Sequence, residues 1–248
     1  MIEPDLPTQW ACFASGDSCL VLEFATVLSV AANRRAAWAA RLLEQAWQAG
    51  RLRGVTDIVP GMVTVGVHYQ QQAIALAGGD ETPFQALERQ IEEQLRKPPD
   101  DAPVPAQRID IPVCYDGDFA PDLQQVAHAC GLSSAELVAR HTGHWLSVLM
   151  IGFAPGNPYI GLLDERLSPP RRDTPRTQVP RGSIGLANRQ SVIYPVASPG
   201  GWHLIGRTPL TLFDAERQPP CLLRSGDEVR FVAIDAVTFE RLAAQASP

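Results

Sequence analysis

The sequence predicts an α+β protein in two parts. A small amino-terminal domain over residues 1–96 pairs an antiparallel sheet with helices, a linker spans 97–107, and a β-barrel domain occupies 108–248. Three observations predict this. In the first part, β-type runs alternate with two amphipathic helical stretches, the pattern of helices layered on a sheet. KPPDDAPVPAQ then concentrates prolines and acids with no apolar period, which marks a linker. Beyond it, short apolar runs are separated by proline and glycine every few residues, as in a closed or partly closed barrel.

The elements follow in order. CLVLEF, 19–24, reads as a short strand. Residues 31–49 are rich in strong helix formers, with Trp38, Leu42, Leu43 and Trp47 at helical spacing, so both tryptophans are core or interface anchors. Gly50 and Gly54 end that helix, and VTDIVP and MVTVGVHY supply two strands. A second helix over 83–95 sets Phe84, Leu87, Ile91 and Leu95 on one face. After the linker, RIDIPVCYD is a strand and PDLQQVAHACG a helix, with Pro121 in its first turn and Gly131 at its end. SSAELVARHTG is another helix, with Ser133 or Ser134 as cap and Glu136 in the opening turn. WLSVLMIGF is long and apolar enough for a central strand.

Composition excludes several function classes. The 21 basic and 27 acidic residues give a net charge of −6, which removes any general drive toward nucleic acid or anionic lipid. Lys97 is the lone lysine and falls in the linker, so a Schiff-base lysine or a phosphate-binding Gly-Lys-Ser/Thr loop has no good candidate. Five cysteines with no Cys-x-x-Cys pair argue against a disulfide framework and a thiolate zinc site. The acidic, proline-containing start and the lack of an apolar run of some 18 residues predict a cytoplasmic protein with no membrane partner.

Candidate chemistry concentrates in three segments. His141 and His144 are close in sequence but lack a third and fourth ligand, so no metal is predicted. Ser183 has no acid and histidine that sequence alone nominates. Arg171, Arg172, Arg176 and Arg181 alternate with prolines, holding guanidinium forks on a stiff backbone suited to a carboxylate or phosphate; the same pattern fits a solvated basic loop. The segment 198–209 adds adjacent glycines, Trp202, Arg207 and Thr208, and 152–159 repeats that recipe with Phe153, Gly156 and Tyr159. Together these make a pocket.

At these residues the chain resembles a known family. IPVCYDGDFAPDL, GFAPGNPYIGLLD, PPRRDTPRTQVPRGSIGLAN, QSVIYPVASPGGWHLIGRTPLTLFD and LLRSGDEVRFVAID are similar, in order, to motifs of the family that holds allophanate hydrolase subunit 1, the 5-oxoprolinase B subunit and the kinase inhibitor KipI. The resemblance implies that the barrel is cyclophilin-like. It implies a role as the B subunit of an ATP-dependent 5-oxoprolinase opening 5-oxoproline to glutamate. The alternatives it allows are a KipI-type kinase inhibitor and a component of the urea or allophanate pathway. It further implies a companion like the 5-oxoprolinase C subunit or allophanate hydrolase subunit 2, a further A subunit of the lactam-utilisation type, a small amide substrate, and ATP held elsewhere in the complex. The residues carried over to the pocket or partner face are Phe153, Gly156, Tyr159, Arg171, Arg176, Ser183, Gln190, Tyr194, Gly200, Gly201, Trp202, Arg207 and Thr208. Asn157 stands where the family pattern has phenylalanine, Ile160 where it has leucine, and Ala120 where it has glycine.

Overall fold

The computed structural model describes residues 10–96 and 106–245. The chain divides into two compact units, with the boundary between Ala106 and Gln107. Lys97 and most of the expected linker lie outside the described residues.

In the first unit, β1 (Ala11–Ala14) and β2 (Cys19–Glu23) lead into helix α1 (Val30–Gln48), followed by β3 (Val55–Pro60), β4 (Thr64–Tyr69) and α2 (Pro83–Arg96). The strands form an antiparallel sheet of order β1-β2-β4-β3. Ser29 starts α1 by accepting a hydrogen bond from the Ala32 amide at 3.1 Å. The period-2 pattern of β2 and β4 sends Leu20, Leu22, Val65 and Val67 into one core with Leu42, Leu43, Leu87, Ile91 and Leu95 from the helices. Trp38 and Trp47 pack half-buried against it, as the helical spacing predicts. β1 is an element that the sequence reading lacked: ACFA is short, with no clear alternation.

The second unit begins with β5 (Arg108–Cys114), then α3 (Leu123–Ala129), α4 (Ser134–Thr142), β6 (Leu146–Ile151), β7 (Pro158–Gly161), β8 (Arg176–Val179), β9 (Ser183–Ala187), β10 (Gln190–Ile193), β11 (Ser198–Gly200), β12 (His203–Arg207), β13 (Glu228–Ile234) and α5 (Ala236–Gln245). Seven of these strands close into a mixed barrel of order β10-β7-β6-β13-β5-β12-β9, with β8 and β11 paired beside it. Among the described residues only the β5–β13 ladder is parallel; β13 lies antiparallel to β6. WLSVLMIGF is thus a central strand, as its length and apolarity predict. Ile111, Val113, Val148, Ile160, Ile184, Ile205, Val229 and Phe231 fill the barrel, joined by Leu123, Val126 and Leu137 from the helices.

Ser133 caps α4 in a reciprocal box with Glu136. Gly131 takes the left-handed conformation after α3, at φ +66°. One expectation is corrected here: α3 starts at Leu123, not in the turn containing Pro121. Asp122 stands at the helix start without a side-chain capping bond, and its amide donates to the Leu204 carbonyl at 3.0 Å, tying this end of α3 to β12.

Candidate functional site

The predicted residues separate into groups. The first gathers where β12 begins. Asp122 is buried, 4% exposed, and acts as a hub. Its Oδ2 accepts from the Leu204 amide at 2.7 Å, and its Oδ1 accepts from Arg176 Nη2 at 2.7 Å and Arg172 Nη1 at 3.4 Å. Burial alone would raise this carboxyl, but the Arg176 hydrogen bond, the Leu204 amide and the charges of both arginines outweigh it and hold the pKa below its ordinary value. Asp122 therefore stays ionised and fixes two of the predicted arginines.

Above it, the Arg171 guanidinium lies 5.0 Å from the Trp202 ring centroid, in the position for a cation–π contact. Tyr159 meets the same indole edge-on, with centroids 6.0 Å apart. Trp202 and Tyr194 share a small core with Val179, Ala187, Val192 and Leu204. The Tyr194 phenol is pushed up by burial, which a hydrogen bond from the Trp202 backbone offsets in part. Gly200 is explained by this packing: a Cβ there would collide with Tyr194 Oη. Gly201 has a different task, its carbonyl accepting the Arg172 amide at 2.8 Å to pin the arginine loop. Tyr159, Arg171, Arg176, Tyr194, Gly200, Gly201 and Trp202 are thus brought together, with Arg172 and Asp122 added.

Arg207, Ser183 and Thr208 form a second group at the other end of β12. Arg207 Nε donates to the Arg181 carbonyl at 2.8 Å, and its guanidinium faces the Phe239 ring at 6.0 Å. Ser183 stands opposite Arg207 in the β9–β12 register and is buried. Thr208 is buried too, its Oγ1 accepting from the Leu210 amide at 3.3 Å. Arg207 lies five positions beyond Trp202 along β12, roughly 16 Å at strand rise, so Arg207 stitches β12 to α5 and does not join the arginine cluster.

Gln190 starts β10 opposite Gly161 and Ala187, two residues before the Val192 that pairs with Tyr159. Gly156 and Phe153 sit in the β6–β7 turn. Gly156 has φ +76°, and a Cβ there would lie 2.8 Å from that of Phe213, so only glycine fits. Phe153 is a non-glycine at φ +74° and 68% exposed, held in the left-handed region with its ring in solvent.

Sequence reasoning missed a polar trio inside the barrel. His141 is fully buried, stacked on Phe231 at 4.1 Å, with Nδ1 2.7 Å from Tyr115 Oη and Nε2 2.8 Å from Ser191 Oγ. Burial drives its pKa down to about 3, so the ring is neutral, and its one donor and one acceptor match the two hydroxyls. His144 lies past the end of α4 and is exposed, so the two histidines do not converge. Among the described residues no group of three or more His, Cys, Asp or Glu could hold a metal ion. Likewise, no described helix is long and apolar enough to cross a membrane.

The chain that folds into this helix-covered antiparallel sheet and closed mixed barrel matches a known family by sequence. Residues 10–223 fit the carboxyltransferase domain, subdomain C and D model, and the chain belongs to that family. Within it, the chain is similar to the 5-oxoprolinase B subunit of Bacillus subtilis, 38% identical over 88% of this chain and 90% of that protein. It is 39% identical to the 5-oxoprolinase B subunit of Escherichia coli O157:H7 over 89% of this chain and 94% of that one. Among solved structures it resembles TTHA0988, with a TM-score of 0.73 and 31% identity over 89% of this chain. It spans only 40% of that longer chain.

Proposed function

We propose that this chain is the B subunit of an ATP-dependent 5-oxoprolinase, a non-autonomous part of a complex that opens 5-oxo-L-proline to L-glutamate. The observation that carries the reading is near end-to-end similarity to two bacterial proteins of that name. The Arg171–Trp202–Tyr159 rim supports it, because an exposed guanidinium held on an aromatic face suits a small planar carboxylate. The companions are a C subunit, of the allophanate hydrolase subunit 2 type, and an A subunit of the lactam-utilisation type. No Gly-x-x-x-x-Gly-Lys-Ser/Thr loop occurs in this sequence, so its residues do not fit a phosphate-loop ATP site, and we assign the nucleotide largely to another subunit of the complex. The setting is cytoplasmic, where ATP and 5-oxoproline are both at hand.

The test is reconstitution. Co-purified with its two companions, the chain supports ATP-dependent glutamate formation, and leaving it out abolishes turnover. No turnover with all three proteins folded and associated, or full turnover without this chain, refutes the reading.

A further inference from the structure

We propose that the outer face of the amino-terminal sheet docks a second copy of this chain, giving a weak two-fold dimer in which Val21 of each copy fills a notch over Gly66 of the other. The proposal stands apart from the 5-oxoprolinase reading.

The strand register defines the face. Helices α1 and α2 share one side of the sheet with Leu20, Leu22, Val65 and Val67 and, more loosely, with Cys12 and Ile58. Side chains alternate along a strand, so the residues between these point to the other side. Phe13 pairs with Val21, Val21 with Gly66 and Gly66 with Val59, which makes a single row across all four strands. Phe13 is 45% exposed and Val59 43%. An antiparallel sheet with one wet face ordinarily turns polar side chains outward, and this row has none.

Gly66 is the odd member of the row. Its φ lies outside the left-handed region, and an added Cβ would meet Cys19 Sγ at 3.6 Å, the Val59 carbonyl oxygen at 3.8 Å and His68 Nε2 at 3.9 Å, all ordinary contacts. Neither the backbone nor crowding inside the unit calls for glycine there. Glycine weakens a strand interior, and where it stands in one it often marks the close approach of another surface. Here it leaves a notch directly beside the Val21 side chain.

A knob and a notch on the two central strands fit a two-fold axis. Set between two facing sheets, roughly along the strands and midway between β2 and β4, the axis lays β2 over β4 of the second copy and β1 over its β3. Val21 then meets Gly66 and Phe13 meets Val59. One row away on β2, Glu23 meets Thr64, so its carboxylate faces a hydroxyl and not a second carboxylate; on the other side Cys19 meets His68. Facing sheets aligned within about 30° are an ordinary packing. The sheet edges are less suited to pairing, because β3 has a bulge between Val55 and Asp57 and ends on Pro60, and β1 has only four residues. Four strands about 4.8 Å apart and five residues long give a face of roughly 19 by 17 Å, some 650 Å² in projection for the pair. Stable interfaces bury about 1,200 Å² or more, so this dimer forms and dissociates with concentration.

Sedimentation equilibrium of the full chain from about 10 μM to 1 mM tests this. The dimer fraction rises across the range, and Gly66→Val and Phe13→Lys each weaken association by about tenfold or more. Gly66→Val melts no lower than the unmodified chain, because valine suits a strand interior better than glycine, so loss of the dimer is not loss of the fold. Val237→Lys, at the most exposed large apolar residue of the second unit, leaves association unchanged. A chain that stays monomeric at about 1 mM, association that Gly66→Val does not weaken, or equal weakening by Val237→Lys overturns the proposal. So does a monomeric chain whose Gly66→Val variant fails to bind its companion subunits, since the face then belongs to a companion.

Discussion

Between pH 7 and pH 5, above the range in which the paired carboxylates take up protons, acid should destabilise the barrel through His141. Folded, its imidazole stays neutral down to about pH 3 because it is fully buried; unfolded, it takes a proton near its ordinary value of 6.5. Between those values the unfolded chain binds a proton that the folded one refuses, so stability is complete above the unfolded value and falls as the pH drops through it. Linkage gives a loss of about 2 kcal/mol from pH 7 to pH 5 and about 3 kcal/mol by pH 4. The figure at pH 5 depends only on the folded value lying well below 5. To isolate this residue, wild type is compared with His141→Phe, which keeps an aromatic ring on Phe231 but strands the hydroxyls of Tyr115 and Ser191. At pH 7 the variant should be less stable by about 2–4 kcal/mol, from two buried groups left unpaired. At pH 5 that gap should shrink by about 2 kcal/mol, because only the wild type carries the proton penalty. Amide exchange in urea, followed by mass spectrometry on peptides covering Ser183–Ala187 and Glu228–Ile234, reads the barrel apart from the amino-terminal unit. Parallel pH profiles for the two proteins would refute the reasoning, since His141 would then hold the same protonation state folded and unfolded.

Removing Asp122 with an alanine leaves two partly buried guanidiniums and the Leu204 amide without their shared partner, so thermal unfolding should show a loss of about 3–5 kcal/mol. Gly200→Ala drives a methyl against Tyr194 and should cost about 1–3 kcal/mol with a changed near-ultraviolet signal from Trp202; adding Tyr194→Phe should recover part of the loss. Ser133→Ala breaks the capping box of α4 and should lower stability by about 1 kcal/mol in denaturant titration. Arg207→Ala should lower the melting temperature through loss of its contacts with Arg181 and Phe239 while leaving 5-oxoproline affinity unchanged; a selective loss of affinity in a fully stable variant would place it in the site after all.

What could be read from the sequence divides along the range of the interaction involved. The helices are local objects: the Ser133 cap with Glu136 in the opening turn and the helical spacing of Leu87, Ile91 and Leu95 all lie within a few residues of what they control, and each is found where the spacing puts it. Barrel closure was legible only as a density of turns, because the parallel β5–β13 ladder joins residues 120 positions apart, such as Arg108 and Glu228, and no local pattern announces it. The same limit governs the site. The arginine and glycine segments identify themselves by composition, yet whether a given arginine faces a ligand or a structural carboxylate depends on Asp122, 54 residues before Arg176 and indistinguishable in sequence from a helix cap. Arg171 and Arg172 are neighbours in the chain, and one stacks on Trp202 while the other leans on Asp122. Arg207 looked equivalent to them and is separated by the length of a strand. Residue type nominates the chemistry, but the count of guanidiniums against buried carboxylates decides how much charge is left for a ligand, and that count exists only once the barrel has brought α3, β8 and β12 together.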